Sequence, residues 1–252
     1  MRMKSLARFA ALLLLSGLAL QLYFVARVAL MIVVDPQSTS FQRSEVYRLA
    51  VAKHAVLWSQ QWRPYAQLGE PLKRAVIASE DARFADHTGV EWDALEAAWE
   101  RNQRAEARAD KLNAQGRAGA AGKSAAAAQA KLVGGSTITQ QLAKNLFLSG
   151  ERNLARKAEE FAITFMLEAL LSKQRILEIY LNNVEWGEGV FGAQAAARHY
   201  FHVDADRLDT LQAARLAVLL PAPKRFEKRP ASPYVLDRAA TVAARMGAVE
   251  LP

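Results

Sequence analysis

Residues 153–183 read NLARKAEEFAITFMLEALLSKQRILEIYLNN. Apolar residues recur on more than one face of LARKAEEFAITFMLEALL, the pattern of a helix buried on most sides, and no period-two alternation competes with it. Ser172 then offers an N-cap oxygen to a second helix, KQRILEIYL. Two helices separated by one serine mark an α-dominated domain, and the same punctuation recurs in both directions along the chain. Pro71 opens PLKRAVIASEDARF as a first-turn proline. Thr137-Ile138-Thr139-Gln140 has capping-box spacing ahead of QLAKNLF. Asp209 or Thr210 starts LQAARLAVLL, which Pro221 stops, and Ser232-Pro233 begins a last helix that Gly247 can close.

Toward the N-terminus, residues 9–34 (FAALLLLSGLALQLYFVARVALMIVV) are interrupted only by Ser16, Gln21 and Arg27. At 1.5 Å per residue such a helix reaches about 39 Å, more than a hydrocarbon core of ~30 Å. Arg2, Lys4 and Arg8 precede the run and Asp35-Pro36 follows it. The positive-inside bias therefore predicts a cytoplasmic tail over residues 1–8 and everything after Pro36 outside. The run exceeds the apolar core of a cleaved signal, so it reads as an uncleaved signal anchor. Residues 35–61 read as a membrane-proximal linker and 62–252 as one catalytic-sized domain.

Composition closes off several chemistries. The 252 residues carry 33 Lys+Arg against 25 Asp+Glu, a net +8, and 52% are hydrophobic, which excludes disorder of the whole chain. There is no cysteine, so thiolate zinc, iron–sulfur clusters, a Cys nucleophile and disulfides are excluded. Half of the net charge falls in residues 100–131, where seven basic residues face three acidic ones and Leu112 is the single large aliphatic. That composition predicts a mobile, solvated insertion; its functional alternative is a basic flap against anionic headgroups. Gly187-x-Gly189-x-x-Gly192 matches a dinucleotide fingerprint but follows a helical pattern rather than a strand. Asp204-Ala205-Asp206, near His199 and His202, reads as capping carboxylates ahead of a helix rather than as a metal motif. Nucleic acid is a poor partner for an exported domain, so the surplus charge is better matched to lipid or pyrophosphate.

The informative polar residues lie between positions 80 and 160. Glu80 and Asp81 are adjacent carboxylates at the exit of an apolar helix, where desolvation raises a carboxyl toward general-base range. Paired to Arg74 or Arg83 they would instead be surface groups, and spacing alone does not choose. Gly134-Gly135-Ser136-Thr137 leads into a helix whose first turns present free N–H groups to an anion. Gln140 with Lys144, and Gln141 with Asn145, share helical faces. Arg152, Arg156, Lys157 and Glu160 follow; Arg156 and Glu160 are spaced for a helical ion pair, but with Lys144 the set gives four cations, which suit a pyrophosphate.

Taken together, EDxxFxxHxG at Glu80–Gly89, GGSTITQQLAKN at Gly134–Asn145, RKxxE at Arg156–Glu160 and KQRILEIYLN at Lys173–Asn182 resemble glycosyltransferase family 51, the peptidoglycan polymerases that act on lipid II. The resemblance covers roughly residues 62–246 and is closest to the monofunctional transglycosylases of Gram-negative bacteria. It implies a mainly α, single lysozyme-like helical glycosyltransferase domain behind the transmembrane helix. Class A penicillin-binding proteins add a transpeptidase; S-x-x-K and K-T-G are missing here, so polymerisation without cross-linking is expected.

The resemblance assigns Glu80 as catalytic base and Glu160 as second essential carboxylate, with Asp81, Phe84 and His87 supporting the first motif. Ser136, Thr137, Gln140, Gln141, Lys144, Asn145, Arg152, Arg156 and Lys157 would line the donor site around the pyrophosphate. Lys173, Tyr180 and Asn182 look structural. Glu80 would deprotonate the GlcNAc 4-hydroxyl of lipid II as it attacks C1 of the lipid-linked growing glycan strand, inverting that centre to a β-1,4 link. No metal site and no required cofactor is implied, and divalent-cation assistance is left open. The expected partners are lipid II, the growing strand, the inner membrane and cell-wall synthesis or division proteins, with the catalytic domain periplasmic. Glu91 stands where the family usually has Asp, and the 100–131 segment is longer than in typical relatives. The competing classes are a lysozyme-like lytic hydrolase, with water as nucleophile, and an inactive cell-wall scaffold.

Overall fold

The computed structural model describes residues 2–119, 135–148 and 153–252, with side chains except at 2–4, 110 and 112–119. It is mostly helical. In chain order the elements are α1 (Arg2–Leu30), α2 (Ser40–Lys53), α3 (Glu70–Glu80), α4 (Trp92–Gly119), α5 (Ile138–Phe147), α6 (Leu154–Leu170), α7 (Lys173–Asn183), β1 (Glu185–Gly187), β2 (Val190–Phe191), α8 (Ala193–Phe201), α9 (Thr210–Leu219), α10 (Pro223–Phe226) and α11 (Pro233–Arg245). Met1–Gly89 with Ile138–Pro252 form one compact unit, and Val90–Thr137 form a second.

Several helix starts follow from single side chains. Ser172 accepts from the Arg175 N–H, and Ser232 from that of Val235. Asp209 and Gln212 form a full capping box at the start of α9. Each such cap contributes about 1 kcal/mol. In the larger unit α3 packs against α9 and α11, and α5 against α6 and α7. Leu72, Val76 and Ile77 of α3, Leu142 of α5, Ile163 and Leu167 of α6, Ile176 and Leu177 of α7, and Leu216 of α9 are all buried. Each large aliphatic side chain removed from water contributes roughly 1.5–3 kcal/mol.

Residues Ser5–Leu30 of α1 are long and apolar enough to cross a membrane. The helix stops at Leu30, four residues short of the apolar run, and residues 31–33 turn. Its last turns do not stand clear of the domain. Phe24 meets Phe147 edge-on at 5.2 Å, Gln21 Nε2 donates to Glu159 at 2.9 Å, and Phe24, Val28 and Met31 are buried.

Four sequence expectations change. The apolar faces of α6 do not mean burial on most sides: Ile163, Thr164 and Leu167 are buried, whereas Leu154, Phe165 and Leu170 are exposed. Part of that outward surface is where α1 lies, through Glu159. The 35–61 linker contains α2, started by a Thr39–Gln42 capping box. The insertion is helical from residue 100 to Gly119, because its Ala, Arg, Glu, Gln and Lys content favours helix without needing a buried face; the rest of the expected mobile segment, 120–131, lies outside the described residues. Capping near residue 204 also differs. Asp204 accepts from Gln194 Nε2 (2.5 Å) and Arg198 Nε (2.9 Å) and caps no helix by its side chain; Asp209 does that work for α9.

The glycines of the 187–192 stretch serve a small buried hairpin of β1 and β2, joined by the backbone of Ser59. Gly189 and Gly192 have positive φ, and a Cβ on Gly192 would lie 2.6 Å from the Asn182 carbonyl oxygen. That oxygen belongs to backbone and cannot give way. Gly192→Ala is therefore expected to cost about 3 kcal/mol, from a strained φ plus overpacking. Thermal melting should show a drop on the order of 10 °C; an unchanged midpoint would contradict the argument.

Candidate active site

The centre of the site is the C-terminal end of α3. Val76, Ile77 and Ala78 anchor the last turns in the core, so the chain leaves the helix at Glu80 with Asp81 directed inward. Asp81 is 5% exposed. Its Oδ2 accepts the Ile138 backbone N–H at 3.0 Å, and its Oδ1 lies 2.8 Å from His87 Nε2. His87 Nδ1 accepts from the Gly89 N–H at 3.1 Å. An accepting Nδ1 leaves the ring proton on Nε2, so His87 donates to Asp81. This carboxylate is fully occupied in tying the loop to the start of α5.

Glu80 is placed differently. Its residue surface still reaches solvent, yet the surrounding protein desolvates the carboxylate, and this pushes its pKa up. The Asp81 charge pushes in the same direction, while a hydrogen bond from Gln141 and the Lys144 ammonium oppose it. Gln141 Nε2 donates to Glu80 Oε2 at 3.0 Å. A carboxylate that is desolvated, oriented and still reachable has the properties of a general base.

Helices α5 and α6 carry the remaining polar set. Gln140 is buried, Gln141 and Asn145 are half-buried, and Lys144 is exposed on α5. On α6, Glu160 is 3% exposed and takes Arg156 Nη1 at 3.3 Å together with Lys157 Nζ. Asn153 caps this helix by accepting the Arg156 N–H at 2.8 Å. Arg156 Nε is buried with no hydrogen-bond partner among the described residues.

The larger unit thus gathers Glu80, Asp81, Phe84, His87, Gln141 and Lys144 around the α3 exit; Arg156, Lys157 and Glu160 form a second set on α6, which packs against α5. Ser136, exposed, and Thr137, buried, belong to the smaller unit. Arg152 and Gly134 lie outside the described residues.

Three residues acquire partners that the sequence did not announce. Lys173 Nζ stands 4.5 Å over the ring of buried Phe84 and 2.9 Å from Glu168 Oε1. The same Glu168 oxygen accepts from Thr139 Oγ1 at 2.5 Å. Tyr180 donates its hydroxyl to Gln141 Oε1 at 2.9 Å. Thr139 and Glu168, and Gln141 and Tyr180, come from different helices, so no spacing rule pairs them; the available signal was that a tyrosine in an apolar helix needs a polar partner for its hydroxyl.

The Transglycosylase family pattern matches residues 50–247. A biosynthetic peptidoglycan transglycosylase of Burkholderia thailandensis is 51% identical over 235 residues, covering 93% of this chain and 83% of the relative. One of Paraburkholderia xenovorans is 47% identical over 239 residues, covering 94% of this chain and 90% of the relative.

Proposed function

Because the chain belongs to the transglycosylase family and is a peptidoglycan glycosyltransferase that polymerises glycan strands, we propose that Glu80 is its general base and that Lys144, Arg156 and Lys157 receive the diphosphate. The observation that carries this reading is the state of Glu80: desolvated, hydrogen-bonded by Gln141 and within the field of Lys144. In this reading Glu80 takes the proton from the 4-hydroxyl of the acceptor GlcNAc. The hydroxyl oxygen attacks C1 of the donor MurNAc, the C1–O bond to the undecaprenyl pyrophosphate breaks, and the new linkage is β-1,4. Base assistance of this kind is worth typically 10²–10⁴-fold.

The leaving diphosphate gains negative charge as its bond to C1 lengthens. Preorganised cations stabilise that charge without reorganising at the moment of reaction. Glu160 holds Arg156 and Lys157 in one orientation. With that positive charge supplied by side chains, we propose turnover without an added cofactor. The anchor helix, docked through Gln21 and Phe24 on the elements that carry Glu159 and Phe147, keeps the site beside a lipid surface and raises the local concentration of a lipid-linked substrate. We place the N-terminus in the cytoplasm and the catalytic domain in the periplasm on the charge bias flanking α1.

The test is incubation of the purified full chain with lipid II, with and without chelator. Polymer together with released undecaprenyl pyrophosphate, undiminished by chelator, is expected. Shortening of preformed glycan would indicate a hydrolase, unchanged lipid II a scaffold, and chelator-sensitive polymerisation would overturn the cofactor-free reading.

A further inference from the structure

We propose that Tyr180 is a positioning residue for Glu80, acting through the side-chain amide of Gln141; the inference rests on Glu80 being the base. The three side chains come from α7, α5 and α3 and form one directed chain. Tyr180 is 1% exposed, and its hydroxyl donates to Gln141 Oε1 at 2.9 Å. Gln141 Nε2 in turn donates to Glu80 Oε2 at 3.0 Å.

The direction follows from the chemistry of an amide, which has one accepting end and one donating end. A hydroxyl that occupies the oxygen leaves only the NH₂ group to face the carboxylate. Without it, the amide loses the donor that fixes its sense, and a turned amide would set its oxygen against Glu80, where two acceptors repel. Tyr180 is suited to this because it cannot readily lose its proton: burial, with the charges of Glu80 and Asp81 nearby, pushes the phenol well above its ordinary range. The hydroxyl therefore stays a donor throughout the pH range in which Glu80 titrates. The groups facing Glu80 are Ser79 and Asp81 from its own segment, Gln141 and Lys144 from α5, and Tyr180 behind Gln141 from α7. Replacing Tyr180 by Phe changes no charge, deletes a single oxygen and leaves every group in direct contact with Glu80 in place.

The Gln141 hydrogen bond stabilises ionised Glu80, so loosening it raises the pH at which the base becomes competent. In Tyr180→Phe, which keeps the ring and its packing, the acid limb of the kcat/KM profile for lipid II polymerisation is expected to move up by about one pH unit. KM for lipid II should stay unchanged, because Tyr180 is buried and acts on the protonation of Glu80 through Gln141. In a Gln141→Ala background, Tyr180→Phe should shift nothing further, since the two act as one unit. An acid limb that stays in place in Tyr180→Phe overturns the proposal. So does an equal shift in both backgrounds, which would mean that Tyr180 acts by another route. Glu80→Gln measured alongside separates the two layers. Full activity there sinks the base assignment and this inference with it, whereas an inactive Glu80→Gln with an unmoved Tyr180→Phe limb sinks the inference alone.

Discussion

Glu80→Gln is expected to lose polymerisation by about 10²–10⁴-fold while still binding lipid II, because the amide keeps the shape of the side chain but cannot accept the hydroxyl proton. The same substitution should make the protein more heat-stable near neutral pH. In the unfolded chain Glu80 ionises in the ordinary carboxyl range, whereas in the fold burial raises that point. The unfolded state therefore sheds its proton first as pH rises. The contribution of the group to stability is fully present below the ordinary value and is lost as pH climbs through the folded one. The glutamine variant has no such loss. Its melting temperature should exceed that of the parent at neutral pH, and the advantage should vanish in acid. Activity assays, lipid II binding and melting curves at the two pH values check the three statements. A variant that is inactive but no more stable would mean that Glu80 is not desolvated in solution, and an active variant would remove it as the base.

What the sequence displayed was whatever short segments encode. Ser172, Asp209 and Ser232 cap helices in the structure because the capping oxygen and its N–H partner are three residues apart. The Asp81–His87–Gly89 arrangement closes within nine residues, so its motif was visible as a motif. Helix α2 was just as visible in its Thr39–Gln42 box, but the neighbouring anchor drew the segment into a linker reading. The wiring of the site was a different matter. Gln141 meets Glu80 across 61 positions and Tyr180 across 39. Those pairings depend on how α3, α5 and α7 stack, and a tyrosine in an apolar helix carries no mark of which amide it will reach. The exposed side of α6 shows the same limit, since apolar residues there signal contact without naming α1 as one of the occupants.

Glu160→Gln separates two roles that both fit a buried carboxylate between cations. If Glu160 merely neutralised Arg156 and Lys157, its removal would leave more positive charge for the diphosphate, and substrate would bind more tightly with kcat unchanged. If it aims them, the charge remains but its placement is lost, and stabilisation of the leaving group falls. The structure favours aiming. Glu160 is 3% exposed, Arg156 reaches it one helical turn away at 3.3 Å, and Lys157 reaches it from the adjacent position. Both cations are thereby drawn to one side of α6, with Arg156 Nε unmatched among the described residues. The expected result is a kcat loss of about 10²–10³-fold, the scale of losing one preorganised donor to developing negative charge, with lipid II binding retained. Stability should fall by less than the ~3–5 kcal/mol of a fully buried broken pair, because Lys157 is in contact with solvent. Steady-state kinetics and a melting curve on the same preparation decide between the roles. An unchanged kcat with tighter binding would make Glu160 a counter-ion and leave the orientation of the two cations to the rest of α6.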